Sequence, residues 1–339
     1  MSETLLQVRN LRKYFPVEHG FLRRGDDFIR AVDDISFDVL RGTVLGLIGE
    51  SGCGKTTTVK TIMRATPPTS GSIEYLTQDK RKVDLAQLTR KELKPLRKEI
   101  QMIFQDPFSS LNPRMTALDI VAEPLKVLKW RKPDYRRRVE ELMDLVGLDP
   151  RFLSRYPHAF SGGQRQRLGI ARALASSPSL LFADEPVSAL DVSVQAQILN
   201  LLLDIQARMG LTVVIIAHDL GVVRYICREV AIMYLGKIVE QGDTREIYTH
   251  PRHPYTAGLL AASPDTDPDT PWAEDLLSGD VPSPIGERPG CVFASRCAHA
   301  EERCHREVPE LAPVAGGDRA ATGRAVACWR ADELRLRGI

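Results

Sequence analysis

No stretch of this chain is apolar for long enough to cross a bilayer. The most apolar run, residues 211–217, falls far short of the ~20 residues a spanning helix needs. The opening Met1-Ser2-Glu3-Thr4 lacks both the basic start and the apolar centre of a secretory signal. The expected location is therefore cytosolic, where six cysteines stay reduced unless they hold a metal. Any membrane function must come through partner chains. Excess charge is lacking too: a formal net charge of +2 makes no electrostatic case for nucleic acid or an acidic partner. The cluster Arg131-Lys132 with Arg136-Arg137-Arg138 reads as a solvated helix face. What is present is ordinary for a globular chain, 43% hydrophobic and 27% charged residues, enough for a sizeable core. A length of 339 residues suggests two domains, or one large domain with an appendage.

One stretch organises the rest: Gly49-Glu50-Ser51-Gly52-Cys53-Gly54-Lys55-Thr56-Thr57. The apolar residues 44–48 precede it and a helix is expected after it. Strand, glycine turn and helix N-terminus make the setting in which backbone N–H groups converge on a phosphate. The three glycines permit backbone conformations closed to other residues. Lys55 can then reach the β- and γ-phosphates, and the Thr56 hydroxyl can ligate Mg²⁺. This chemistry predicts binding of a nucleoside triphosphate.

Other polar groups recur at the ends of apolar strands. Residues 5–11 read as a strand with Tyr14 and Phe15 just beyond it, an aromatic pair read either as packing or as a platform for a base. Residues 18–30 read as a charged hairpin loop, 31–40 as a second strand, and 72–99 as a β-hairpin with charged loops. The strand at 100–104 delivers Gln105, placed to ligate Mg²⁺ or the attacking water. Proline punctuates helical periodicity between 108 and 158, a mostly helical insertion. It ends at Ser161-Gly162-Gly163-Gln164, with Ser161 as N-cap of a second helix end with bare N–H groups. The strand at 180–184 ends in Asp184 and Glu185, two adjacent acids costly to leave near a core without a cation. Asp184 can hold the Mg²⁺ shell and Glu185 can polarise water. Residues 194–209 read as an amphipathic helix, and the strand at 211–217 ends at His218, either a γ-phosphate contact or a structural hydrogen-bonder. A strand pair over 229–248, turned at Leu235-Gly236-Lys237, closes the pattern. Alternating strands and helices, with the chemistry at strand C-termini, indicate a doubly wound α/β sheet.

The order of these elements, from the phosphate loop through Gln105, Ser161-Gly162-Gly163-Gln164, Asp184-Glu185 and Ser188-Ala189-Leu190-Asp191 to His218, strongly resembles the ABC-transporter ATPase subunit over residues 5–250. The resemblance implies an α/β phosphate-loop NTPase core with a mixed sheet, a helical subdomain at about 106–160, and a cysteine-bearing extension over 251–339. It implies that Phe15 or Tyr14 stacks on adenine, that Glu185 is the catalytic carboxylate, and that His218 senses the γ-phosphate. It also implies that Ser161-Gly162-Gly163-Gln164 caps a nucleotide bound by a second, paralogous ATPase. Gln105-Asp106-Pro107-Phe108-Ser109-Ser110-Leu111-Asn112-Pro113 and His253-Pro254-Tyr255-Thr256 narrow the resemblance to oligopeptide and dipeptide importer ATPases. Such importers pair two ATPases with two permeases and an external binding protein, and work at the cytoplasmic side of the membrane. Nickel or another small solute is the alternative cargo, and a soluble non-transport ATPase the more distant one.

Residues 263–290 carry six prolines and several acids, and read as an extended linker. Beyond it lie Cys291, Cys297, Cys304 and Cys328, separated by 5, 6 and 23 residues. Their grouping points to one metal site, although the spacing matches no paired zinc knuckle. Related peptide-importer ATPases carry a similar tail, and the resemblance implies a [4Fe–4S] cluster. Zinc and plain reduced thiols stay open as alternatives. Cys53 and Cys227 belong to the core.

Overall fold

The computed structural model describes residues 3–17, 27–262, 279–314 and 323–339. The strands are β1 (Thr4–Pro16), β2 (Phe28–Leu40), β3 (Val44–Ile48), β4 (Ser70–Leu76), β5 (Lys82–Asp84), β6 (Ile100–Ile103), β7 (Leu180–Asp184), β8 (Thr212–Ala217), β9 (Glu229–Tyr234), β10 (Lys237–Asp243), β11 (Ala312–Pro313) and β12 (Ala325–Val326). Among the described residues they form two sheets. One is antiparallel in the order β2-β1-β4-β5, and the other is mixed in the order β11-β12-β10-β9-β3-β8-β7-β6. The pairs from β9 to β6 are parallel, and β10, β12 and β11 join antiparallel at the far edge.

Strands β3, β7 and β8 are buried along their whole length, which is why they read as unbroken apolar runs. Their side chains still alternate. Leu45, Leu47, Phe182, Val214 and Ile216 pack with the antiparallel sheet around Leu6, Val8 and Phe37. Val44, Ile48, Leu181, Val213 and Ile215 belong to the opposite layer, with Ile120, Val139, Leu168 and Ile198 from helices. The mixed sheet is thus the middle layer, and the loops at its strand ends carry the polar groups.

The insertion is helical, with Ala117–Val127 and Lys132–Leu145 packed on the helix Gly162–Leu174. Pro124 lies inside the first of these helices. Pro133 lies in the first turn of the second, where its missing N–H leaves no bond unmade.

Four local expectations need correction. The 72–99 region is a hairpin only through β5 and then forms the helix Arg90–Leu96, started by a capping box between Thr89 and Glu92. Strand β1 continues through Tyr14 and Phe15 because Tyr14, Phe15 and Pro16 pair with Arg30, Ile29 and Phe28. The last part of 229–248 is a helix, Thr244–Thr249, capped by Asp243. The sheet is not a simple doubly wound one, since an antiparallel sheet covers one face. Of the expected hairpin loop at 18–30, residues 18–26 lie outside the described residues, and 28–30 belong to β2. Of the expected linker, 263–278 lie outside them as well. Its described end docks on β2, with Ile285 bridged to Ile29 and the Arg30 N–H donating to the Pro284 carbonyl at 3.3 Å.

Candidate nucleotide site

Strand β3 ends at the glycine loop, and the helix Lys55–Ile62 begins where the loop ends. Gly49, Gly52 and Gly54 have φ of 151°, 80° and 108°. At Gly49 and Gly54 glycine is also required by space, because a Cβ would sit 2.1 Å from the Met233 and Ala31 carbonyl oxygens. Lys55 Nζ donates to the Gly49 and Glu50 carbonyls at 2.7 and 2.9 Å, folding the ammonium back across the loop. Cys53 is buried, with its Sγ 3.7 Å from the same ammonium, and burial raises its thiol pKa. Ser51, Gly52, Gly54, Lys55, Thr56 and Thr57 line a cleft shared with Gln105 and Glu185.

Asp184 and Glu185, at the end of β7, supply the acids of the site. Thr56 Oγ1 donates to Asp184 Oδ1 at 3.1 Å, bringing a hydroxyl and a carboxylate together as hard oxygen donors of the kind magnesium takes. Burial pushes the Asp184 carboxyl above its ordinary range, against the pull of the Thr56 hydroxyl. Glu185 adopts a left-handed backbone with φ of 44°, a sparsely populated conformation for a residue with a Cβ. Its carboxylate is bracketed: Gln105 Nε2 donates to Oε2 at 2.7 Å, and His218 Nδ1 lies 3.2 Å from Oε1. Three residues from the ends of β6, β7 and β8 are thus joined at one carboxylate.

Ser161, Gly162, Gly163 and Gln164 are elsewhere; none of them lines this cleft. Ser161 caps its helix reciprocally, its Oγ accepting the Gln164 N–H while Gln164 Oε1 accepts the Ser161 N–H at 3.0 Å. Asp191 caps the helix Val192–Met209 in one direction only, its carboxylate accepting the Val194 N–H at 3.0 Å. Tyr14 and Phe15 also lie outside the cleft lining, although Ile29, Arg30 and Ala31 from the paired strand are part of it. The Tyr14 hydroxyl is committed to Asp33, and Arg30 lies over its ring. Phe15 is half-buried beneath the Lys13 ammonium.

Three neighbours of the loop went unrecognised in the sequence. The Glu50 N–H donates to the Tyr255 hydroxyl at 2.9 Å. The Glu50 carboxylate meets the Arg296 guanidinium. Pro284 lines the cleft. All three come from beyond residue 250, and no local spacing rule connects them to a loop two hundred residues earlier.

Cys291, Cys297, Cys304 and Cys328 line one small cavity, together with His253, Phe293 and Trp329. Burial pushes the Cys291 and Cys328 thiols up to about 11 and raises Cys297 as well. Among the described residues no three His, Cys, Asp or Glu side chains form a group that could hold a metal ion. That finding gives no support to the expected zinc site or iron–sulfur cluster. No helix among the described residues is long and apolar enough to cross a membrane.

Comparison with known proteins gives a consistent pattern. Residues 32–188 match the ABC transporter family, and residues 239–304 match the oligopeptide/dipeptide transporter C-terminal region. The oligopeptide transport ATP-binding protein AppF of Bacillus subtilis is 46% identical over 93% of this chain and 95% of its own length. The di/tripeptide transport ATP-binding protein DppF of Pseudomonas aeruginosa is 41% identical over 98% of this chain and 99% of its own. Among solved structures, a dimeric ATP-binding cassette in a post-hydrolysis state with ADP and phosphate aligns with a TM-score of 0.60 at 29% identity. It covers 71% of this chain and 99% of that cassette.

Proposed function

Since the chain belongs to the ABC transporter family of ATP-binding subunits, in its peptide-transporting branch, we propose how its residues divide the work of coupling ATP hydrolysis to peptide import. The chain is an ATPase component of a peptide transporter. The observation that carries the catalytic assignment is the bracketed Glu185 carboxylate opposite the phosphate loop.

Lys55 and the loop N–H groups bind the β- and γ-phosphates, with Glu50, Ser51, Cys53 and Thr57 completing the loop. Thr56, Asp184 and Gln105 would hold a magnesium ion brought by the nucleotide, which would supply positive charge against the phosphate oxygens. Glu185 accepts a proton from the attacking water, while His218 and Gln105 hold that carboxylate in place. Phe15, whose ring carries no polar group committed elsewhere, is the better base platform than Tyr14. Ser161, Gly162, Gly163 and Gln164 serve the nucleotide of a facing ATPase, a role supported by their separation from this chain's own cleft.

The wider assembly in this reading is a heterodimer with a paralogous ATPase, two permeases and an external peptide-binding protein, without nucleic acid, docked at the cytoplasmic face of the membrane. Residues 1–250 form the ATPase domain, with the helical subdomain at about 106–160 facing the permeases. Residues 251–339 form the extension. Its four thiols line one cavity, and the [4Fe–4S] cluster that the resemblance implies is the cofactor assigned to them in this reading. An anaerobic preparation with stoichiometric iron and a broad near-400 nm band supports the cluster; stoichiometric zinc, or neither metal, removes it.

Glu185→Gln tests the catalytic assignment. Hydrolysis should fall by about 10²–10⁴-fold, the usual worth of a general base, while ATP-bound dimers accumulate on size-exclusion chromatography. Near-normal turnover would contradict the role. Affinity purification from detergent-solubilised membranes tests the assembly, where recovery of ribosomal proteins without permeases would move the chain to a soluble role.

A further inference from the structure

The phosphate loop contains one acid, Glu50, in a place meant to attract a polyanion. An uncompensated carboxylate there would repel the phosphates that Lys55 and the loop N–H groups draw in. It is compensated from an unexpected direction. Arg296 donates to both Glu50 oxygens, at 2.8 and 3.1 Å, in the two-pronged geometry that makes arginine–carboxylate pairs strong. The guanidinium is buried, its side chain 6% exposed against 23% for Glu50. It also reaches the Tyr234 hydroxyl at 3.3 Å and lies over the Tyr234 and Phe293 rings.

All three polar ends of Glu50 are engaged. Its carboxylate takes Arg296, its N–H goes to the Tyr255 hydroxyl, and its carbonyl accepts the Lys55 ammonium. Two of these partners belong to the C-terminal extension, and the third is the lysine that must turn toward the phosphates. Tyr234, Tyr255 and Phe293 pack into one aromatic cluster beneath the loop, with ring centroids 4.6–5.5 Å apart. Arg296 ends a short 3-10 turn, Ala294–Arg296, and is followed directly by Cys297 of the four-thiol cavity.

We propose that Arg296 is a positioning residue for the nucleotide: it cancels the Glu50 charge and fixes the phosphate loop, so that the C-terminal extension sets the affinity for ATP. The proposal rests on the nucleotide reading given above and adds the extension to it. Arg296 does not line the nucleotide cleft. It acts through Glu50, and whatever disturbs the turn before Cys297 is felt at Lys55.

The experiment compares MgATP affinity of the purified full chain with that of Arg296→Gln, Glu50→Gln and the double variant, and measures KM and kcat in the assembled transporter. Arg296→Gln should weaken MgATP binding about tenfold and raise KM correspondingly, with kcat changed less than about twofold. Arg296→Lys should recover part of the loss, since a point charge replaces the fork. The double variant should return to within about threefold of wild type, because no carboxylate is left uncompensated. Equal affinity for wild type and Arg296→Gln overturns the proposal. So does a tenfold loss that persists when Arg296 is removed from the Glu50→Gln background, a comparison that holds even where Arg296→Gln alone folds poorly. A wild-type chain that binds no MgATP overturns the nucleotide reading itself and this proposal with it.

Discussion

The phosphate-loop glycines do different work, and the difference is measurable. Gly52 has φ of 80° with nothing within 4 Å of a would-be Cβ, so an alanine there meets only backbone strain. That strain is worth about 1–2 kcal/mol. Gly49 has no such freedom, because a Cβ would press on the Met233 carbonyl and lie 2.8 Å from Cys53 Sγ. Gly52→Ala should therefore stay folded with a modest drop in melting temperature, whereas Gly49→Ala should lose about 4 kcal/mol or more and accumulate insoluble. Thermal melts of the soluble fractions check both. The need for glycine at all of these positions was legible from the motif, since loop, strand and helix are contiguous in sequence. The distinction between them was not, because Met233 and Ala31 come from strands paired at long range.

At the scale of an element, helix ends carry the contrast between structural and shared roles. Ser161 satisfies its own helix through the capping box with Gln164, and its removal should cost about 1 kcal/mol. For a chain of this size that corresponds to about 2–4 °C in melting temperature. If the same helix end also faces the nucleotide of a second ATPase, Ser161→Ala should lower hydrolysis in the assembled transporter at least tenfold at a temperature where the variant is fully folded. A loss of activity no larger than the unfolded fraction would leave the cap as the residue's whole purpose. Capping chemistry was readable where it stood before an apolar run, as at Ser161. It was missed at Thr89, although Thr89 and Glu92 have the capping-box spacing, because Pro95 interrupts the seven-residue helix and charge hides its short apolar face. Tyr14 and Phe15 were placed beyond the first strand for a related reason. Only pairing with β2 extends that strand, and pairing is not local.

Across the whole molecule, the extension is built into the ATPase core rather than hung from it. Strand β12 adds to the edge of β10, pairing Val326 with Glu240 and Ala325 with Gln241. Glu240 is wholly buried, and burial raises its carboxyl pKa. Its oxygens accept from the Arg252 and His253 N–H groups and, at 3.0 Å, from the Arg324 guanidinium. Composition marks a proline-rich run before the tail, but composition between two segments says nothing about where the second one docks. A carboxylate in a strand at 240 and an arginine at 324 carry no pattern linking them. Their pairing has a definite consequence. Arg324→Met leaves Glu240 as an uncompensated buried carboxylate and should destabilise the chain by about 3–5 kcal/mol. Arg324→Met with Glu240→Gln should recover most of that loss, because the amide still accepts from the two backbone N–H groups and no charge stays buried. Urea unfolding followed by tryptophan fluorescence reads the difference directly, since Trp329 lies in the extension, five residues past Arg324. One shared transition in wild type, moved to lower urea in the single variant and back in the double, is the result expected of a core and extension that fold as a unit. A single variant that unfolds within about 1 kcal/mol of wild type would mean that the extension rests on the core without contributing to its stability.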